Sequence, residues 1–378
     1  MFIVLLALII AFTITYFAIP VIITVAERKR LFDVPDERKV HQAPIPSLGG
    51  LGIFGGFIIA VLISAPFNTN FEIQFFLAAA VVIFFLGLKD DILIISPIKK
   101  FIGQVIASFL IIYGGDIQIS NMQGFLGVFE LPAWASLLLT YFTTMVIVNS
   151  FNLIDGIDGL AGSLGIIVCT FFGVYFYSIE LHAYSVLAFA MAASVLAFLV
   201  YNFQPAKIFM GDTGSMLIGL VSAILVIKFI SISQTTASGF PLAASPAIGF
   251  AALMIPLLDT LRVFAIRIFS RRSPFSPDRN HIHHLLLDRG FNHRSIAIGL
   301  SLINVTVLIA VYNLRSLGST ILIAAITTLF FAITALLAKR GRSKKVVPQP
   351  ASLSIDMTDI SATTIVPRSK TTMVGQEN

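Results

Sequence analysis

Apolar and polar positions come in blocks along this chain. Eleven apolar runs, at about 2–25, 48–66, 71–88, 101–115, 131–149, 160–179, 183–203, 214–231, 244–268, 295–313 and 318–338, alternate with short polar segments. A helix that spans a bilayer needs about 20 apolar residues, with a lower bound near 17. The pattern therefore predicts an all-α, polytopic integral membrane protein with about eleven transmembrane helices. The run at 101–115 is the weakest, since Gly103 and Gly114–Gly115 leave it short.

Composition agrees. Of 378 residues, 57% are hydrophobic and 12% charged, against roughly 25% charged in a soluble domain. The single cysteine, Cys169, sits in an apolar run. It excludes an intramolecular disulfide and a cysteine metal site, and reads as a small buried hydrophobe.

The basic residues set an expected orientation. Arg28 to Lys39, Lys89 to Lys100, Lys207 and Arg271 to Arg294 fall in alternate loops, and Lys339 to Lys345 follow the last run. The opposite loops hold only Arg315, with Lys228 near a run's outer end. By the positive-inside rule the first set is cytoplasmic, which puts the N-terminus in the periplasm and the C-terminus in the cytoplasm. The net charge of +6 is then topology plus contact with lipid headgroups, and nucleic-acid binding is not needed to explain it. The first run, with its basic cluster after it, reads as an uncleaved helix. Residues 1–338 form the expected transmembrane domain. Residues 339–378 read as a cytoplasmic tail, basic and then rich in Ser and Thr, and disordered.

Against this background the polar clusters stand out. Asn149, Asn152, Asp155 and Asp158 recur at three-residue intervals where two runs meet. A carboxylate at the centre of a spanning helix costs about 2.5–3.5 kcal/mol, so such residues are retained for an ion, a proton or a charged substrate. On one continuous helix Asp155 and Asp158 would share a face. Asp90–Asp91, Asp212 and His281-Ile-His-His284 lie in loops or run ends on the same expected side. Carboxylate and amide oxygens form a hard donor set suited to Mg²⁺ or Mn²⁺. Asp212 alone would read as an acidic helix cap, and Asp90–Asp91 as a solvated loop. Gly156 and Gly159 read either as close helix contacts or as bare backbone against a phosphate. His-x-His-His resembles a zinc site, but flanking Arg271, Arg272, Arg279, Arg289 and Arg294 suit a diphosphate better.

Acids for a metal and bases for phosphates at one membrane face suggest phosphoryl transfer between a soluble nucleotide and a lipid. Pro35-Asp-Glu-Arg-Lys-x-His41, Gly49–Gly50, Asp90–Asp91, Asn149-x-x-Asn-x-x-Asp-Gly-x-Asp-Gly159, Phe209-Met-Gly-Asp-x-Gly214 and His281-Ile-His-His284 occur in that order. Together they resemble the polyprenyl-phosphate N-acetylhexosamine-1-phosphate transferases of glycosyltransferase family 4. The segment Ser273 to His284 resembles members that begin O-antigen and enterobacterial common antigen. Relatives that make the muramoyl-pentapeptide lipid carry three successive histidines, which Ile282 interrupts here. Some relatives place Arg where this chain has Ser47.

The resemblance implies a bacterial inner-membrane enzyme with its active site on the cytoplasmic face. It would transfer N-acetylglucosamine-1-phosphate from UDP-GlcNAc to undecaprenyl phosphate and release UMP. It implies Mg²⁺ (or Mn²⁺) on Asp212 and Asn152, and Asp90 or Asp91 as catalytic acid–base or nucleophile. Asp155, Asp158, Gly156, Phe209, Lys100 and Asn149 would meet the uridine nucleotide. Arg279, His281, His283 and His284 would hold its diphosphate, and Arg38, Lys39 and His41 the lipid phosphate. A rival of another class is a cation-coupled transporter, whose acids would lie near the membrane midplane on broken helices. A lipid phosphatase is a third. Oligomeric state is left open.

Overall fold

A computed structural model describes residues 1–31, 45–66, 71–93, 95–232, 244–271 and 281–340. The expected tail beyond 340, and Arg38, Lys39, His41 and Arg279, lie outside the described residues. What is described is almost wholly helical, and each of the eleven apolar runs forms helix: α1 (Phe2–Lys29), α2 (Gly49–Ser64), α3 (Glu72–Ile92), α4 (Pro97–Phe109), α5 (Ala133–Ile154), α6 (Leu160–Ser178), α7 (His182–Asn202), α8 (Gly211–Ile232), α9 (Ser245–Ala252), α10 (Met254–Phe269), α11 (Ile282–Leu287), α12 (His293–Asn313) and α13 (Ser319–Arg340). The chain is an all-α, multi-pass membrane protein.

The eleven expected spans are met by helices of unequal length. Among the described residues nine helices are long and apolar enough to cross a membrane, α4 qualifying only through its continuation as a π-helical turn to Gly114. The run at 244–268 is a bent pair, α9 and α10, meeting at 79°, and makes ten if counted as one span. Helix α2, at 16 residues, is short. The loop before α5 also holds a small antiparallel hairpin, β1 (Asn121–Phe125) and β2 (Val128–Glu130), that hydropathy did not suggest.

Prolines inside apolar helices leave carbonyls unpaired, because the i−4 oxygen loses its donor. In lipid these must find partners within the protein. Pro20 in α1 deprives Tyr16, and the Tyr201 hydroxyl from α7 donates to that carbonyl at 3.1 Å. At the bend, Ala252 ends α9 with its carbonyl free of α10, whose first turn holds Pro256, and Asn304 Nδ2 from α12 donates there at 3.0 Å. Asn304 Oδ1 also accepts the Ile255 amide at 3.4 Å. Asn304 is fully buried, so one membrane-embedded amide closes both sides of the bend.

Helices α7 and α8 form the centre of the bundle, each mostly buried. Three neighbours approach α8 so closely that a side chain would collide with backbone. A Cβ on Gly87 of α3 would lie 2.5 Å from Thr213 Cα, and one on Gly50 of α2 would lie 2.4 Å from the Gly214 nitrogen. A Cβ on Gly219 of α8 would lie 2.6 Å from Val148 Cα of α5. The C-terminal ends of α3 and α5 and the N-terminal ends of α4 and α8 thereby gather at one end of the bundle.

Candidate active site

At that end a carboxylate from one helix finishes another. Helix α8 opens at Gly211, whose φ of +69° is readily available only to glycine. The first amides of a helix have no partner within it. Here Asp91 of α3 supplies the acceptors: Oδ1 takes the Asp212 N–H at 2.7 Å, and Oδ2 takes the Thr213 N–H at 3.1 Å and its hydroxyl at 2.5 Å. The loop before α8 is pinned as well, with the amides of Gly49 and Gly50 donating to the carbonyls of Phe209 and Met210 at 2.9 Å each. Phe209 in turn donates its amide to Pro46.

Asp90, one residue earlier, faces a different direction. Its Oδ1 accepts the Ile95 amide at 2.8 Å, which closes the turn into α4, and its Oδ2 lies 3.2 Å from Lys100 Nζ. Lys100 also pairs with Asp212 Oδ2 and donates to Asn152 Oδ1 at 3.3 Å. Asn152 Nδ2 donates to Asp212 Oδ1 at 2.7 Å and to the Ser215 hydroxyl at 3.1 Å. Four helices thus bring Asp90, Lys100, Asn152 and Asp212 to one node. The side chains of Asp90, Lys100 and Asp212 keep 16%, 18% and 28% exposure, so the node is partly open to solvent.

The row from Asn149 to Asp158 does not share one face, because α5 ends at Ile154 and a turn follows. Asn149 exchanges hydrogen bonds with Gln104 of α4, donating at 2.8 Å and accepting at 3.2 Å. It therefore ties α4 to α5 one turn below the node. Asp155 caps the end of α5. Burial, and then the carboxylates of Asp212, Asp91 and Asp158, push its carboxyl well above the usual range. Asp158 turns inward: it is 4% exposed, its Oδ1 lies 3.2 Å from His293 Nδ1, and its Oδ2 accepts the Ala206 amide at 3.3 Å. Nearby, Asn202 holds the turn by accepting the Gly159 amide and donating to the Ile208 carbonyl.

Gly156 lies against α11. A Cβ there would lie 2.7 Å from His283 Nε2, so the missing side chain makes room for an imidazole. The His281 and His283 rings stack, with centroids 5.4 Å apart and planes 7° from parallel, and His284 tilts against His283 at 4.4 Å. These rings lie side by side and share no common focus, which is not how a zinc site is arranged. Burial, and then His284, His281 and His293, push the His283 imidazole well below the usual histidine range. His281 Nδ1 lies 2.8 Å from Asp259 Oδ2 of α10.

The structure thus gathers Asp90, Lys100, Asn152 and Asp212 at the node. Asp91, Asp155, Asn149 and Asp158 surround it, and the histidines join through Gly156. Gln104, Asn202, Asp259 and His293 were not anticipated. Gln104, Asn202, Asp259 and Asn304 carried a signal, being polar residues inside apolar runs, whereas His293 carried none. Among the described residues no three His, Cys, Asp or Glu side chains could hold a metal ion together. The oxygens of Asp90, Asp212 and Asn152 nevertheless converge on one cation, the Lys100 ammonium. That mixed carboxylate–amide set has the hardness Mg²⁺ prefers.

The fold and this site define a membrane-embedded family, and sequence comparison identifies it. Residues 73–230 match the model of glycosyl transferase family 4. The chain is 33% identical over 363 residues to the decaprenyl-phosphate N-acetylglucosaminephosphotransferase of Mycobacterium leprae, covering 86% of this chain and 89% of that one. It is 34% identical over 298 residues to a probable undecaprenyl-phosphate N-acetylglucosaminyl 1-phosphate transferase of Bacillus subtilis, covering 79% and 81%. It is 31% identical over 284 residues to the undecaprenyl-phosphate alpha-N-acetylglucosaminyl 1-phosphate transferase of Yersinia pestis, covering 74% and 75%. The chain belongs to glycosyl transferase family 4.

Proposed function

We propose that this protein transfers N-acetylglucosamine-1-phosphate from UDP-GlcNAc to undecaprenyl phosphate and releases UMP. The observation that carries this reading is the node, where oxygens of Asp90, Asp212 and Asn152 converge on one cation beside a stack of histidines. The names of the relatives supply the substrate class. We take the site to face the cytoplasm of a bacterial inner membrane, because Lys89 to Lys100 and Lys207 fall in the alternate basic loops that the positive-inside rule assigns to the cytoplasm.

Asp212 and Asn152 would hold Mg²⁺ (or Mn²⁺), with Lys100 giving up the position its ammonium occupies and turning to a phosphate. When bound, that ion offsets charge on the transferred phosphoryl group and on departing UMP. The rest falls to the chain. The lipid phosphate oxygen attacks the β-phosphorus of the nucleotide sugar, and the bond to the UMP oxygen breaks. A phosphate monoester has a second pKa near ~6, so much of the acceptor is already ionised at neutral pH and Asp90 need remove a proton only from the remainder. Asp91, with both oxygens engaged by α8, serves to position Asp212. Asp155 and Phe209 would meet the uridine, and Asp158 would support them through its pairing with His293. His281, His283 and His284, with Arg279, would receive the diphosphate, and Arg38, Lys39 and His41 the lipid phosphate.

Membranes containing the protein, given UDP-GlcNAc, its galacto epimer, and decaprenyl or undecaprenyl phosphate, provide the test. A lipid product with the mass of undecaprenyl diphosphate plus N-acetylglucosamine, formed with UMP, supports the reading. Inorganic phosphate as the product would indicate a phosphatase, and substrate uptake without turnover a transporter. We further infer that the product begins an O-antigen or common-antigen type of envelope polysaccharide. Loss of that glycan from a deletion strain, and its restoration by the gene, would bear this out.

A further inference from the structure

Asp259 stands apart from the acidic node. It lies on α10, two turns past the bend, within a predicted apolar run, and is 1% exposed. A buried carboxylate is costly unless its oxygens are hydrogen-bonded. Both oxygens of Asp259 serve one neighbour: Oδ1 accepts the Ile282 amide at 2.7 Å, and Oδ2 meets His281 Nδ1 at 2.8 Å. The amide occupies one oxygen, so the other is left for the ring. With a carboxylate oxygen as partner, Nδ1 is the nitrogen that carries a proton, and Nε2 is turned away. His281 stacks on His283, and His283 fills the space above Gly156. A grip on His281 therefore sets the whole stack. Asp259 reaches it because α10 leaves α9 at 79°, a corner closed by Asn304.

We propose that Asp259 is a positioning residue for the transfer reaction, fixing the His281 ring through its Nδ1 proton so that Nε2 is presented to the phosphate groups of the donor. The proposal rests on the reading above that the histidines meet the diphosphate. A purely structural carboxylate would behave differently on substitution. In Asp259→Asn the side-chain oxygen still accepts the Ile282 amide, but the partner facing Nδ1 becomes an N–H donor. The ring proton must then move to Nε2, with shape and hydrogen-bond number preserved.

The test uses full-length protein in detergent, and nitrogen NMR of histidine-labelled material is tractable because the chain holds six histidines. In Asp259→Asn one imidazole should change from the Nδ1–H to the Nε2–H signature while the unfolding temperature stays near wild type. Its kcat/KM for UDP-GlcNAc should fall about 10–100-fold, the size seen for partners that orient metal-bound histidines. His281→Asn, which keeps a donor where Nδ1 was, should fold and lose a similar factor. Wild-type kinetics in either folded variant, or an unchanged tautomer in Asp259→Asn, overturns the proposal. If UDP-GlcNAc leaves the His281 signal of wild type unmoved while the tautomer still depends on Asp259, the diphosphate reading fails and the pairing stands.

Discussion

Lys100 and Asp212, 112 residues apart, form an ion pair where the N-terminal ends of α4 and α8 meet. Neither helix could bring such charges into the bundle alone. The ammonium neutralises the oxygens that the proposed Mg²⁺ would take, so on that proposal Lys100 and the ion compete for one place.

Lys100→Met should therefore abolish turnover and also change how the protein responds to Mg²⁺. Without the ammonium, the node carries uncompensated carboxylates, and loss of one partner of a buried pair costs about 3–5 kcal/mol, less here because the groups keep some exposure. A ligand that binds only the folded state restores stability. The Tm of the variant should rise with Mg²⁺ more steeply than that of wild type. Equal slopes would mean that Lys100 and Mg²⁺ do not share the position.

Asp90→Asn and Asp91→Asn should fail in different ways. Asp91→Asn places an N–H donor against the amides of α8, and a buried hydrogen-bonding group left unsatisfied costs about 1–3 kcal/mol, so its Tm should drop. Asp90→Asn should keep its Tm and lose rate chiefly at low pH. Its activity should recover as pH rises through the acceptor's second pKa of ~6. A pH-independent loss in Asp90→Asn, with UMP exchange in wild type lacking acceptor lipid, would point to a covalent aspartyl intermediate.

Asp212→Ala and Asn152→Ala should each lose activity by about 10²-fold or more while remaining folded, since each removes an oxygen from the node. Near-normal turnover of either variant across a Mg²⁺ titration would remove the metal assignment.

Gly156→Ala should displace His283, because the new methyl would lie 2.7 Å from its Nε2. We expect a higher KM for UDP-GlcNAc. The double variant Gly156→Ala/His283→Ala should be no worse than His283→Ala alone, since the clash then has no partner. Additive losses would indicate that Gly156 touches substrate directly.

The depressed pKa of His283 sets the sign of one stability effect. The unfolded chain takes up a proton near the ordinary value of about 6.5, while the folded protein resists it until lower pH. Stability should thus fall as pH drops from about 6.5 toward the folded pKa. Between pH 7.5 and 5.5 the Tm of wild type should decline more than that of His283→Gln; parallel curves would refute the assignment.

The sequence marked the fold well where hydropathy and charge act locally. Each apolar run became helix, and Asp90, Asn152 and Asp212, singled out by their chemistry, do meet. It misled where geometry depends on a helix end. The three-residue spacing put Asp155 and Asp158 on one face, but α5 stops at Ile154 and Gly159, at φ +77°, turns the chain. The bend at 244–268 was also hidden, although Pro256 was a clue, because hydropathy measures apolar length and is blind to direction. Gln104, Asp259 and Asn304 were visible as polar intruders, but their partners are distant in sequence, and only packing reveals which backbone or ring each satisfies.

Asp90 and Asp91 occupy adjacent positions on α3, and neighbours on a helix point about 100° apart. One is sewn into the start of α8 by three hydrogen bonds, while the other reaches the node. The pair therefore acts as a keyway: α3 cannot rotate about its axis without tearing Asp91 from α8, and with that rotation barred, the direction in which Asp90 looks is fixed.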